Sequence, residues 1–151
     1  MNERILCTGK NDEQITFQND RELIKFLLLA YLSRGDRVVP EQLTIDHIIP
    51  TGSLENWKGI APRNHAEVEI SRYKLGNLSL LPPRTNSDSE VGNMSFLEKY
   101  EKAYKNDKYV PNNEIIKYKK EFTSTNPTKA VVKRGKEIAE ELYEILSKKV
   151  G

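Results

Sequence analysis

Two short runs hold the residue types from which a hydrolytic site can be built. They are Thr44-Ile-Asp-His-Ile-Ile-Pro50 and Leu75-Gly-Asn-Leu-Ser-Leu-Leu81, with Asn86 behind them. Asp46 and Asn86 offer oxygen atoms of the kind that hold a hard divalent cation. His47 offers an imidazole, whose ordinary pKa near 6.5 lets it change charge close to neutral pH. An ion would stabilise charge on a phosphate and its leaving oxygen. The histidine would take a proton from water, so the set suits phosphodiester hydrolysis. One objection comes from geometry. Strand side chains alternate faces, so Asp46 and His47 point apart unless the strand is bent or bulged there.

The surrounding pattern predicts the elements that must hold these residues. Residues 1–19 form a lead-in with a short strand-like run, Gln14 to Phe17. Asp20 can cap a helix in which Leu23, Phe26, Leu27 and Ala30 share a stripe, and Gly35 ends it. Residues 36–42 form a loop with Pro40. Leu43–Pro50 and Leu75–Pro82 read as two short strands, each stopped by a proline that cannot donate to a ladder. Between them lies an irregular stretch with a short helix around 63–71. Ser95 to Glu98 has capping-box spacing and predicts a helix through about 105. Asn112 or Asn113 can cap another through about 122. Asn126-Pro127 opens a helix from about 128 to 148, with Val131, Val132, Ile138, Leu142, Ile145 and Leu146 along its apolar stripe. The fold class is therefore α+β and mostly helical.

Composition narrows the setting more than the function. A chain of 151 residues, 37% hydrophobic and 30% charged, can bury a core without staples. One cysteine, Cys7, excludes an internal disulfide and a cysteine-based zinc site, and two histidines exclude a multi-histidine metal centre. The longest apolar run, Phe26 to Leu32, is far short of the roughly 20 residues that cross a bilayer. The opening Met-Asn-Glu-Arg has no apolar core of a secretory signal. These features predict a cytoplasmic protein. Net charge is +2, but residues 96–151 carry 13 Lys/Arg against 9 Asp/Glu. That basic excess suits a polyanion, and equally suits solvated helix faces.

Taken together, Asp46-His47-Ile48-Ile49-Pro50, Trp57, Gly76-Asn77-Leu78-Ser79-Leu80, Asn86, and Phe96 with Lys99 resemble an HNH (His-Me finger) nuclease. More narrowly they resemble the C-terminal nuclease domain of GmrSD-type modification-dependent restriction proteins. Leu27-Leu28-Leu29 and the helix with Arg134 resemble its flanks, so the likeness runs over about residues 20–148. It implies a ββα-metal finger embedded in flanking helices, and a nuclease domain over 20–151 with basic C-terminal helices. It also implies DNA as substrate, a role in bacterial defence, and an N-terminal ParB-like domain in the full-length protein. By the same resemblance His47 is the general base and Asp46 and Asn86 are the metal ligands. Asn77 then braces the catalytic strand through backbone hydrogen bonds. Many such sites have a histidine where this sequence has Asn86, and asparagine oxygen suits Mg²⁺, with Mn²⁺ able to substitute, better than zinc.

Plainer readings stand beside these. Asn77 after Gly76 could mark only a turn or bulge, and Asn86 could be only a helix cap. Asp88 is a rival ligand. His65 reads as a surface histidine and Trp57 as core. Arg72, Lys74, Arg84 and Lys99 flank the motif and could grip phosphate, yet each is by default a solvated charge. Lys74, Arg84 and Lys99 are the chosen nucleic-acid contacts. Arg134 reads as a buried ion pair as readily as a DNA contact. An RNA-cleaving toxin, or a DNA-binding module that keeps the finger only as scaffold, would present the same residues.

Overall fold

The computed structural model describes residues 20–35, 42–83 and 89–150. The expected strand at Gln14–Phe17, Cys7, Arg84, Asn86 and Asp88 lie outside these residues. What is described is mostly helical, with a small two-stranded sheet.

Helix α1 spans Arg21–Leu32. Its chain turns away through Arg34 and Gly35, both at positive φ (53° and 79°), as Gly35 N–H donates to the Ala30 carbonyl at 3.0 Å. The buried face is Ile24, Leu27, Leu28, Tyr31 and Leu32. The expected stripe was rotated: Leu23 and Phe26 are 41% and 59% exposed. A run as uniformly apolar as Phe26–Leu32 has no clear period of its own, so the neighbouring elements choose the buried face.

Strand β1 is Thr44–His47 and β2 is Leu78–Leu81. They pair antiparallel in unbroken register, with Asp46 opposite Ser79 and His47 opposite Leu78. Between them come a 3₁₀ turn at Pro62–Asn64, helix α2 at His65–Ser71, and a second 3₁₀ turn at Leu75–Asn77. Asn77 thus sits in a turn just before β2, not in the strand. Its N–H closes that turn on the Lys74 carbonyl, which leaves its side chain to reach across to the other strand.

Beyond β2 the described chain resumes with the short helix α3, Ser89–Gly92. Helix α4, Phe96–Lys99, is capped by Ser95, whose hydroxyl accepts from Glu98 N–H at 3.4 Å, and continues as a π-helical turn, Tyr100–Tyr104. Helix α5, Val110–Asn113, starts earlier than expected, with Pro111 in its first turn. Asn112 and Asn113 therefore lie inside it and do not cap it. Asn112 turns inward to Ser79 and the Leu80 carbonyl, and Asn113 donates to three carbonyls of residues 104–107. A 3₁₀ turn, Glu114–Tyr118, leads into α6, Lys119–Phe122. The chain ends in α7, Thr128–Val150.

The sheet lies between two apolar clusters. Ile45, Leu78 and Leu80 belong to the cluster with α1 and the Ile138–Leu142 face of α7. Ile48, Ile49 and Leu81 belong to the other, with Trp57, Phe96, Tyr104 and Phe122. Val132, expected on the α7 stripe, is 56% exposed; Arg134 is buried in its stead. The Arg134 Nη1 donates to the carbonyls of Gly76 and Leu78 at 2.9 and 2.8 Å, and its guanidinium lies 5.9 Å from the Tyr31 ring centre. Its partners are thus carbonyls and a ring face, and its place is not a DNA-facing surface.

Glycine at 76 is what lets α7 come this close. A Cβ there would lie 1.9 Å from the Val131 carbonyl oxygen and 2.8 Å from the Gly135 nitrogen. Both obstacles are backbone and cannot step aside singly. Gly76→Ala should cost about 3 kcal/mol, the upper end for overpacking, read as a lowered urea midpoint at unchanged slope.

Candidate active site

His47 is the last residue of β1, and two side chains and a main-chain bond fix the backbone around it. Lys99 donates its ammonium to the His47 carbonyl at 2.5 Å and the Ile48 carbonyl at 3.4 Å. Asn77 accepts Ile49 N–H at 2.8 Å on Oδ1, and donates to the Ile49 and Arg72 carbonyls at 3.0 and 2.9 Å. Ile48 N–H donates to the Asn77 carbonyl at 2.9 Å. One buried amide thus satisfies both the N–H and the C=O of Ile49, just beyond β1, as a paired strand would. Asparagine fits the task because its short side chain carries a donor and an acceptor together.

The imidazole is half-buried, edge-to-face with Tyr73 at 6.1 Å between ring centres. It borders an open cleft of about 160 Å³ with Ile45, Asp46, Pro50, Thr51, Gly52, Gly92 and Asn93. Burial pushes its pKa down to about 4, with the positive charges of Lys99 and Arg72 acting the same way. The ring is therefore neutral at pH 7, the form that can accept a proton.

Asp46 answers the alternation objection directly. The unbroken register holds no bulge, and its carboxylate turns inward at 3% exposure. Tyr104 donates its hydroxyl to Oδ2, and the Lys99 ammonium stands 3.2 Å from Oδ1. The Tyr104 hydroxyl is held protonated, chiefly by its burial and then by the Asp46 charge. Lys99 is 1% exposed, with all three of its partners inside the domain. The phosphate contact expected of Lys99 is therefore not available: its charge is spent on Asp46 and the strand carbonyls. Residue type and its place in the family pattern with Phe96 made Lys99 a phosphate contact, and no signal in a single sequence distinguishes a lysine that a buried aspartate has drawn inward.

The other expected residues spread out. Lys74 is half-buried at the start of the turn before β2. His65 is exposed at the first position of α2. Trp57 is buried, its indole N–H on the Met94 carbonyl at 3.0 Å. That bond, with Asn56 donating to the Asn93 carbonyl at 2.7 Å, ties the loop after β1 to the loop after α3. Asn93, which the sequence reading passed over, thereby reaches the cleft. Its Oδ1 would touch a Cβ at Gly52 at 3.2 Å.

As a cation site this donor set fits in part. Asp46 borders the cleft and is the right kind of ligand for a hard ion, but both its oxygens already have partners. Asn86 lies outside the described residues. Among the described residues no three His, Cys, Asp or Glu side chains gather at one point, and no helix is long and apolar enough to cross a membrane.

Comparison with curated proteins and with solved structures finds no match. The family model of the C-terminal domain of GmrSD restriction endonucleases matches residues 5–141. That span includes β1, the Gly76-Asn77 turn, β2 and the greater part of α7, the pieces that hold His47 in place. The chain belongs to the family of GmrSD restriction endonuclease C-terminal domains.

Proposed function

We propose that this domain is a divalent-ion-dependent endonuclease that nicks DNA, one phosphodiester bond at a time. The observation that supports it most is His47: a ring kept neutral, at an open cleft, on a strand end pinned by Asn77 and Lys99. In this reading β1, β2 and the helix that follows form a ββα-metal finger. His47 takes a proton from the attacking water. Asn77 and Lys99 keep the ring's position independent of substrate, since both grip main chain. Asp46 and Asn86 would hold Mg²⁺, or Mn²⁺ in its place, and the bound ion would neutralise charge on the phosphate and leaving oxygen. For Asp46 to do so, Oδ1 must be shared between the ion and Lys99. The full-length protein in this reading is a cytoplasmic restriction or phage-defence protein with an N-terminal ParB-like domain.

One chain holds one His47, so one visit hydrolyses one bond. At low protein concentration and with Mg²⁺, supercoiled plasmid should pass first to open circle, with linear DNA later from unrelated second nicks. EDTA should stop the reaction and Mn²⁺ restore it. Linear DNA appearing without an open-circle stage would sink the nicking picture in favour of a preassembled pair. Cleavage of matched RNA in preference to DNA would overturn the substrate. No cleavage with either ion would leave a DNA-binding module.

A further inference from the structure

With Lys99 drawn inside the domain, Arg72 is a described cation that stands at the edge of the cleft. It follows the last turn of α2, and its Nη1 donates to the carbonyls of Pro50 and Thr51 at 3.2 and 3.0 Å. Both residues are part of the cleft wall beside His47. Its Nε donates to the Glu69 carbonyl at 3.4 Å, and its guanidinium carbon lies 5.8 Å from the centre of the Tyr73 ring that His47 touches. Three sides of the group are thus fixed by main chain and an aromatic face. Among the described residues no carboxylate pairs with it.

We propose that Arg72 binds a backbone phosphate of the substrate at the Pro50–Thr51 edge of the cleft and so sets the register in which the scissile bond meets His47. The proposal deepens the nuclease reading and rests on it. Carbonyls hold Nη1 without neutralising the guanidinium, which leaves Nη2 and the full charge for an anion. A planar fork held this way loses little freedom on meeting a phosphate oxygen. A residue needed only to tie the turn at Pro50 and Thr51 would not have to be charged.

The test uses binding, so that catalysis does not interfere. His47→Ala protein serves as parent, with Arg72→Gln and Arg72→Lys made in it, and affinity for a short DNA duplex is read by fluorescence anisotropy across a salt series. Arg72→Gln should weaken binding about tenfold, the effect of one charged hydrogen bond, and lower the slope of log affinity against log salt by about one. Arg72→Lys keeps the charge and should keep the parent's slope. Loss of affinity in Arg72→Gln with the parent's slope intact would show a turn-holding role only and overturn the proposal. A parent that binds no DNA at any salt would instead remove the nuclease reading beneath it.

Discussion

His47→Ala should lower the rate of plasmid nicking by about 10²–10⁴, the range for a lost general base, and leave DNA affinity close to that of the native chain. The strand end is held through main chain by Asn77 and Lys99, and these bonds survive truncation of the side chain. Undiminished nicking would remove His47 from the mechanism. The same substitution has a second signature in acid. The folded ring has a pKa of about 4, below its ordinary 6.5, so the unfolded chain binds the proton more tightly. Native stability is therefore full above about pH 6.5 and falls as pH drops toward 4, by up to about 3 kcal/mol. Nicking should hold its rate down to about pH 5 and fade below it. Urea melts of His47→Ala should lack this part of the acid loss, and an unchanged acid profile would refute the depressed pKa.

The largest effect on stability is expected at Lys99. Lys99→Met should cost about 3–5 kcal/mol, because it leaves the Asp46 charge buried with only the Tyr104 hydroxyl for company. It also releases the His47 carbonyl, so the rate should fall beyond what lost folding explains. Asp46→Asn combined with Lys99→Met should recover much of the stability, since both charges then leave together. Equal urea midpoints for Lys99→Met and the double variant would show that the unpaired Asp46 charge is not what destabilises Lys99→Met. The double variant also separates two roles of Asp46: if it folds and still binds Mg²⁺ as the native chain does, by calorimetry, Asp46 is no ligand.

Part of the frame around the candidate site could be read from residue order because its pieces are short and local, while the roles of its residues came from the family resemblance. The strand around Asp46-His47 and the Ser95 cap each depend on neighbours within a few positions, whereas Gly76-Asn77, expected within the second strand, forms a turn before it. What could not be read depends on distant partners. Lys99 meets β1 across more than fifty positions, and only the fold turns its ammonium inward. The α1 stripe was misplaced because five of its seven central residues are Leu, Ala or Phe, and α7 and β2 choose among them. Arg72 was legible as a cation near the motif. Its special standing comes from two carbonyls some twenty residues earlier.

The grip of Arg134 on Gly76 and Leu78 spans 58 and 56 positions. A ribosome making this chain would therefore release β1, β2 and the turn between them well before the helix that clamps them. Until the segment around residue 135 has emerged, the Gly76 turn lacks the surface it packs against, and loop closure of that length must come first. The fold around β1 is thus completed only after α7 has docked. A chain cut short before α7 would lack this clamp, and the turn that braces the end of β1 would have no helix to dock on.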